Sequence, residues 1–136
     1  MFLGDYFNNI KNNYKNFFFS GISSNSNQVK KNNIFFAIKG NKVDGNNFIL
    51  SAIKNGAKII VTEKKEDGFK NDILFIKSRN VRKLFAEISF KIYNDIPKNI
   101  IAVTGTNGKS SIVDFYYQIL DLNKKKVASI GTLGVK

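Results

Sequence analysis

The chain of 136 residues contains no cysteine and no histidine. These absences exclude disulfides, thiolate nucleophiles, zinc sites built from Cys and His, and every mechanism that needs an imidazole. No stretch approaches the ~20 apolar residues of a membrane-spanning helix. The early run Phe17-Phe18-Phe19 is also shorter than the ~7–15 residues of a signal-peptide core. We therefore expect a soluble, cytoplasmic protein without a membrane partner.

Acidic residues are scarce: 10 Asp and Glu face 22 Lys and Arg, which gives a formal net charge of +12. Such a charge suggests a nucleic-acid partner. However, lysine is spread along the whole chain, and arginine, which suits bidentate phosphate contacts, occurs only at Arg79 and Arg82. Asparagine is abundant, with 19 copies. We therefore interpret the charge as a compositional bias and expect small-molecule substrates rather than nucleic acid, and a basic nucleic-acid-binding protein is kept as an alternative.

Hydrophobic periodicity predicts an α/β protein. Residues 2–19 show the i, i+3, i+4 spacing of an amphipathic helix, and we interpret their aromatic stripe as core. A helix capped by Asn47 and stopped by Gly56 is predicted over 47–55, and others over 78–92 and 109–123. Polar or charged loops are expected over 23–28 and 63–72. Short apolar runs predict buried strands, at 34–38, 58–62, 73–76, 100–103 and 127–130.

The only proline, Pro97, interrupts this pattern, and we place a domain boundary there. Residues 1–97 are predicted to form a small N-terminal α/β domain. Residues 98–136 are predicted to form a single βαβ unit, the beginning of a second domain. A lone βαβ unit leaves its apolar strands uncovered. We therefore expect residues 98–136 to be less stable than residues 1–95.

The segment from Val103 to Ser111 joins a predicted strand to a predicted helix through a turn that contains Gly105 and Gly108. Glycines let backbone amides approach phosphate oxygens, and a helix N-terminus attracts an anion. Lys109 suits β- and γ-phosphates, and the Ser110 hydroxyl suits Mg²⁺. The pattern G-x-x-x-x-G-K-S/T is incomplete, because its first glycine position is Val103 and Gly105 gives a shorter spacing.

Three segments resemble the Mur ligases, the family that builds the peptide stem of peptidoglycan. Residues 104–111 are similar to the T-G-T-N-G-K-T-T/S loop of that family. Residues 35–40 with the later Asp44, Gly45 and Phe48 resemble its N-terminal signature, F-x-A-x-x-G followed by D-G-x-x-F. Residues 131–134, G-T-L-G, resemble a segment typical of the UDP-N-acetylmuramoyl-tripeptide synthetases, which add a diamino acid.

The resemblance implies an ATP-dependent, ADP-forming amide ligase of cell-wall synthesis. Such an enzyme transfers the γ-phosphate of ATP to the D-glutamate carboxylate of UDP-N-acetylmuramoyl-L-alanyl-D-glutamate. The amine of L-lysine or meso-diaminopimelate then attacks the acyl phosphate. The implied cofactors are ATP and Mg²⁺, with Ser110 as the metal contact. The implied ATP-binding residues are Gly105, Thr106, Asn107, Gly108, Lys109, Ser110 and Ser111.

The resemblance also implies a UDP-sugar site in the N-terminal domain, formed by Ser24, Ser26, Asn41, Lys42 and Val43. Short hydroxyls and backbone amides suit a pyrimidine and a pyrophosphate, and Lys42 suits the anion. The family's D-S-R triplet is replaced here by Asn25-Ser26-Asn27, which removes one carboxylate and one guanidinium.

Family members are several times longer than this chain. The resemblance therefore implies a truncated, N-terminal portion of the ligase, and we expect no complete set of catalytic residues and no ligation by these residues alone. A second alternative is a non-catalytic module that binds a nucleotide or a UDP-muropeptide.

Overall fold

The structure, a computed structural model, describes residues 1–93, 95 and 97–136. The chain divides into two compact units, Met1–Asp95 and Ile96–Lys136, here called unit 1 and unit 2. The division lies two residues before the boundary predicted at Pro97. Residues 94 and 96, beside that boundary, lie outside the described residues.

Unit 1 is built around a five-stranded sheet with the order β1-β2-β3-β5-β4. β1, β2, β3 and β5 are parallel to their neighbours, and β4 pairs antiparallel with β5. This mostly parallel sheet with helices confirms the α/β fold class. The strands are β1 Gly21–Ser23, β2 Asn33–Phe36, β3 Ile59–Thr62, β4 Gly68–Lys70 and β5 Ile73–Lys77.

The sheet is buried on both faces, because successive side chains of a strand point to opposite sides. In β2, Ile34 and Phe36 belong to one apolar cluster, whereas Phe35 belongs to the other. The first cluster also contains residues of the N-terminal segment and of α3 (Val81–Ile92), and the second contains residues of α2 (Ile49–Lys54). The continuous apolar runs in the sequence are therefore explained by a sheet that lies between two covering layers.

α2 and α3 end within one residue of their predicted ends, but α3 begins at Val81 rather than at Ser78. The side chain of Asn80 accepts a hydrogen bond from the Lys83 amide at 2.9 Å, which caps α3 at its N-terminus. α2 is followed by Gly56, which has φ = +109°. A Cβ at Gly56 would lie 2.8 Å from the Lys31 Cα, so this position requires glycine for both its conformation and its space.

The long helix predicted over 2–19 is wrong. Only α1 (Leu3–Tyr6) and a 3₁₀ turn (Asn12–Tyr14) are helical, and the segment folds back on itself. The amide of Leu3 donates to the Phe17 carbonyl, and the amide of Phe19 donates to the Met1 carbonyl. Asparagine side chains compete for backbone hydrogen bonds and disfavour a continuous helix. The assignment to the core is confirmed for Leu3, Phe7 and Tyr14, which are buried, and is wrong for Phe2 and Phe18, which are about half exposed.

Three local predictions in unit 1 also need correction. The helix predicted from Asn47 begins earlier, because Asp44 caps a 3₁₀ turn (Gly45–Phe48) that precedes α2. The loop predicted over 23–28 contains the end of β1 and a 3₁₀ turn (Ser26–Gln28). The charged segment over 63–72 contains β4, which has only three residues and too few apolar positions to show a pattern.

Unit 2 contains α4 (Lys109–Leu122) and a hairpin of β6 (Ile130–Gly131) and β7 (Gly134–Val135). α4 confirms the predicted helix. Within the described part of this unit, residues 100–103 form no strand, and residues 127–130 enter the hairpin only at their end. The predicted parallel pair is therefore not formed. Two isolated strands are marginal in water, and an antiparallel hairpin needs only a short connection.

No helix in the described ranges, which leave out residues 94 and 96, has the length and apolar character needed to cross a membrane.

Candidate functional site

The structure brings the two predicted UDP-sugar segments to one edge of the sheet in unit 1. β1 and β2 are parallel neighbours, so their carboxyl ends lie at the same edge. Ser24 and Ser26 follow β1, and residues 41–43 follow β2. Ligands of open parallel sheets bind at this edge, outside the carboxyl ends of the strands.

The segment after β1 is fixed by neutral hydrogen bonds. The Asn25 side chain accepts from the Asn27 amide at 3.0 Å, and the Ser23 hydroxyl donates to the Asn25 carbonyl at 2.8 Å. From α2's end, the Asn55 side chain donates to the Ser26 carbonyl at 2.9 Å. These bonds order the segment although both ionic groups of the family triplet are absent. Ser26 is buried, and Ser24 is exposed.

Residues 41–43 form the tip of a small hairpin. Lys39 and Asp44 make an isolated antiparallel bridge, and the Gly40 amide donates to the Val43 carbonyl at 2.9 Å. Asn41, Lys42 and Val43 are all exposed at this tip. Their backbone and the Lys42 ammonium group are therefore accessible to an anionic ligand.

A polar network that the sequence analysis missed lies beside this tip. Asp44 accepts from the backbone and side-chain nitrogens of Asn46 at 2.9 and 2.7 Å and pairs with Lys64 at 2.7 Å. Asn46 in turn accepts from the hydroxyl of Thr62, which is fully buried. The hydrogen bonds from Lys64 and Asn46 hold the pKa of Asp44 well below its ordinary value. Of these four residues, only Asp44 stood out in the sequence, as part of the D-G-x-x-F signature.

In unit 2 the predicted phosphate-binding turn leads directly into α4. Gly105 and Gly108 have φ = +148° and +74°, conformations that residues with a Cβ rarely adopt. Gly108 is the N-cap of α4, and a Cβ there would meet no atom within 4 Å. Among the described residues, none of the amides of residues 105–111 donates to a hydrogen-bond acceptor. The turn therefore presents a row of free donors at the N-terminus of a helix.

Lys109 and Ser110 lie at this turn in defined positions. The Lys109 ammonium group folds back and donates to the carbonyls of Gly105 and Thr106. The Ser110 hydroxyl is 2.7 Å from that of Thr132, in the connection between β6 and β7. Thr132 was not among the predicted site residues, although it lies in the G-T-L-G segment of residues 131–134. Lys109, Ser110 and Thr132 line a cavity of about 180 Å³ within unit 2.

Unit 1 also has a larger cavity, of about 690 Å³, which no sequence pattern predicted. It lies between the N-terminal segment, the end of β5 and α3, and its lining includes Tyr6, Tyr14, Glu87 and Phe90. Lys91 crosses one side and donates to the Tyr6 carbonyl at 2.9 Å. None of the predicted site residues lines this cavity.

Comparison with known proteins identifies the family. The sequence profile described as "Mur ligase family, catalytic domain" matches residues 19–98, more than half of the chain. The chain belongs to the Mur ligase family. The matched residues of this Mur ligase chain end before the turn at residues 104–111, so the profile covers most of unit 1 and not the predicted phosphate loop.

Curated relatives extend the similarity into unit 2 of this Mur ligase chain. It is 44% identical over 128 residues to the UDP-N-acetylmuramoyl-L-alanyl-D-glutamate--2,6-diaminopimelate ligase of Rickettsia prowazekii (strain Madrid E), covering 94% of this chain and 26% of the relative. The enzyme of the same name from Clostridium tetani (strain Massachusetts / E88) is 44% identical over 120 residues, covering 82% and 24%. The chain thus spans about a quarter of the length of the curated relatives it matches.

Solved structures show the same similarity. A structure of UDP-N-acetylmuramoyl-L-alanyl-D-glutamate--2,6-diaminopimelate ligase aligns with a TM-score of 0.71 and 26% identity, covering 100% of this Mur ligase chain and 28% of that protein. The MurF ligase of Thermotoga maritima, solved in complex with ADP, aligns with a TM-score of 0.57 and 27% identity, covering 74% and 23%.

Proposed function

We propose that this Mur ligase chain is the N-terminal part of an ATP-dependent, ADP-forming ligase that adds a diamino acid to UDP-N-acetylmuramoyl-L-alanyl-D-glutamate. The observation that carries the proposal is the row of free amides over residues 105–111 at the N-terminus of α4. The names of the curated relatives favour 2,6-diaminopimelate as the diamino acid. Because the proposed substrates are nucleotides, we also propose a cytoplasmic location.

The residues of the turn fit the phosphates of ATP. Free amides and a helix N-terminus attract an anion, and the absence of a Cβ at Gly105 and Gly108 leaves room for it. Lys109 now contacts two carbonyls of the turn, and we expect it to exchange these contacts for phosphate oxygens. ATP would supply the phosphoryl group that activates a carboxylate for amide formation.

Ser110 is the residue that would hold Mg²⁺. Its hydroxyl bonds to Thr132 in this structure, so both oxygens face the same point beside the turn. Mg²⁺ keeps several water ligands and takes few protein oxygens when a nucleotide supplies the others. One or two hydroxyls beside free amides are compatible with such a site.

For the UDP part of the second substrate, we propose Ser24, Ser26 and residues 41–43 of unit 1. Two structural observations support them: both segments follow neighbouring parallel strands, and the tip of residues 41–43 is exposed. Residues 1–97 would thus be the UDP-sugar domain and residues 98–136 the beginning of the ATP-binding domain.

The two binding sites can be tested separately with the full chain by calorimetry. We expect UDP and Mg-ATP each to bind, Mg-ATP weakly, because only its phosphates find partners in these residues. Lys109→Ala should weaken Mg-ATP binding by roughly 10–100-fold and leave UDP binding unchanged. Lys124→Ala, which removes an exposed lysine beyond α4, is the matched control. Mg-ATP binding that is equal in Lys109→Ala and in the unaltered chain would contradict the proposal for the turn.

The chain alone should not complete ligation. Among the described residues no cluster of acidic side chains suited to a metal ion is present. We expect no ADP release above background when Mg-ATP, UDP-N-acetylmuramoyl-L-alanyl-D-glutamate and 2,6-diaminopimelate are supplied together. Robust turnover would show that the 136 residues contain a complete active site, contrary to this expectation.

A further inference from the structure

The hairpin formed by residues 38–45 carries the tip that we propose to bind UDP. Its two legs meet at the Lys39–Asp44 bridge, and the Gly45 amide donates to the Ile38 carbonyl at 3.0 Å. Beyond the bridge, one backbone bond, from Gly40 to Val43, closes the tip. The position of the tip therefore depends on what holds the legs.

The second leg is held by the network of Asp44, Asn46, Thr62 and Lys64. Both carboxylate oxygens of Asp44 are used: one accepts twice from Asn46, and the other accepts from the Lys64 ammonium group. The Thr62 hydroxyl, at the end of β3, donates to the Asn46 side chain at 2.5 Å and accepts from the Lys64 amide at 3.1 Å. Four side chains thus connect the hairpin to the neighbouring strand.

The first leg has a separate contact. Arg82, in the first turn of α3, donates to the Lys39 carbonyl at 3.5 Å. The two legs are therefore attached to different elements, β3 and α3. Of the two attachments, the one through Asp44 is the more constrained, because it has several short bonds and a fully buried hydroxyl.

Stability alone does not account for the ionic part of this network. The Lys64 side chain is 60% exposed, and ion pairs of this kind contribute little to folding. The pair nevertheless fixes the Asp44 carboxylate, which is two residues from the tip's Lys42. A group that adds little stability but determines local geometry is expected where a ligand must meet a preformed surface.

We infer that Asp44, Asn46, Thr62 and Lys64 are positioning residues that hold the tip of residues 41–43 in the conformation that accepts a uridine diphosphate group. This inference rests on the proposed function of that tip. In it, the network contacts the hairpin and not the ligand. It therefore predicts that Asp44 and Lys64 act together, and that removing either one weakens binding.

The test compares Asp44→Asn, Lys64→Met and Thr62→Val in the full chain, with UDP as the probe. Calorimetry measures affinity, and amide hydrogen exchange measures the order of residues 41–43. We expect each variant to lose roughly 3–10-fold in affinity, the effect of one net hydrogen bond, and to exchange faster at residues 41–43. Glu87→Gln, which removes the Lys83–Glu87 pair on α3, is the matched control and should change neither quantity.

The outcomes separate the possibilities. If Lys64 contacted the ligand directly, Lys64→Met would weaken binding but Asp44→Asn, which frees the ammonium group, would not, and the inference would be overturned. Unchanged affinity in all three variants would also overturn it while leaving the UDP site in place. Failure of the unaltered chain to bind UDP would overturn the proposed function of the tip, and the inference with it. Should Asp44→Asn fail to fold, hydrogen exchange of residues 41–43 in Lys64→Met without UDP decides the question, because loss of a direct ligand contact alone would leave that exchange unchanged.

Discussion

Unit 1 and unit 2 have similar local elements but very different interiors. Every buried apolar side chain of the described residues lies in unit 1, where two clusters sandwich the sheet. In unit 2, the apolar face of α4 is exposed: Phe115 is 63% and Leu122 is 82% accessible. The helix of unit 2 is well formed nevertheless. Helical hydrogen bonds are local, whereas a core requires several elements to meet.

The same difference explains the strands. β2 and β3 have apolar sequences and are paired on both sides, while residues 100–103 have a similar sequence and form no strand. Apolar runs therefore indicate strands only where neighbours and covering layers exist. Within the part of the chain that the structure describes, unit 2 has the same local signals but buries none of its apolar side chains.

The largest expected effect is a difference in stability between the units. Amides of β3 and β5 should exchange only through global unfolding, which requires ~5–15 kcal/mol in ordinary domains. Amides of α4 should exchange through local opening at a much smaller cost. Hydrogen exchange followed by mass spectrometry measures both in one experiment. Equal protection of β3 and α4 would contradict the comparison.

Two matched phenylalanine substitutions test the difference in burial between unit 1 and unit 2. Phe36 is fully buried and packs against Phe85, with ring centroids 5.1 Å apart, whereas Phe115 is mostly exposed. Phe36→Ala should cost about 3–5 kcal/mol, and Phe115→Ala less than about 0.5 kcal/mol. Urea unfolding of unit 1 gives the loss of free energy for Phe36→Ala. The urea dependence of the helical signal of α4 gives the loss for Phe115→Ala. Similar losses would mean that the α4 face is covered in solution.

For unit 2 we expect binding, rather than stability, to respond to substitution. Lys109→Ala removes the ammonium group at the turn but no buried contact, so the weak affinity for Mg-ATP should fall by roughly 10–100-fold, as for a charge-assisted hydrogen bond. The thermal midpoint of unit 1 should stay unchanged. A loss of stability without loss of affinity would indicate that Lys109 only closes the turn.

Alanine substitutions of Gly45 and Gly108 should each destabilise only the unit that contains the glycine. At Gly45 a Cβ would lie 2.6 Å from the Ile38 carbonyl oxygen, so Gly45→Ala should destabilise unit 1 by about 1–3 kcal/mol through overpacking. At Gly108 the space is open but φ is +74°, so Gly108→Ala should cost about 1–2 kcal/mol of backbone strain, confined to the start of α4. Chemical denaturation of each unit measures the two effects. Unfolding of unit 1 in Gly108→Ala would contradict the prediction that the effect is confined to the start of α4.

The smallest effect concerns pH. Lys64 and Asn46 lower the pKa of Asp44, so the folded state favours its charged form. The resulting stability is present above the ordinary aspartate pKa of about 3.9 and is lost as the pH falls below it. Asp44→Asn should flatten the acid side of the unit 1 stability profile, measured by urea unfolding between neutral pH and pH 3. An unchanged profile would show that this carboxylate does not contribute.

Much of the fold followed from pattern alone. Apolar runs predicted β2, β3 and β5, and helical spacing predicted α3 and α4, because each signal lies within one continuous segment. The helix prediction for the N-terminal segment was wrong because the spacing of its apolar residues fits a helix, whereas its asparagines disfavour one. β4 was not predicted because a strand of three residues at the edge of the sheet shows too short a pattern.

The candidate sites divide similarly. The turn over residues 105–111 was predictable, since its glycines, lysine and serine are adjacent in sequence. The network around Asp44 was not predictable, because Asn46 and Thr62 meet only when the strands are arranged side by side. Likewise, Thr132 reaches Ser110 from 22 residues away, through the hairpin.

The sequence by itself determined where α3 and α4 form, which segments are apolar, where the glycine turn before α4 lies, and to which family the chain is similar. These properties depend on neighbouring residues and on local hydrogen bonds. Only the tertiary structure decided which apolar runs become strands, which aromatic side chains are buried and which polar groups form a network. Each of these depends on contacts between residues that are distant in the chain, and a contact contributes to stability only where folding has excluded water from both partners.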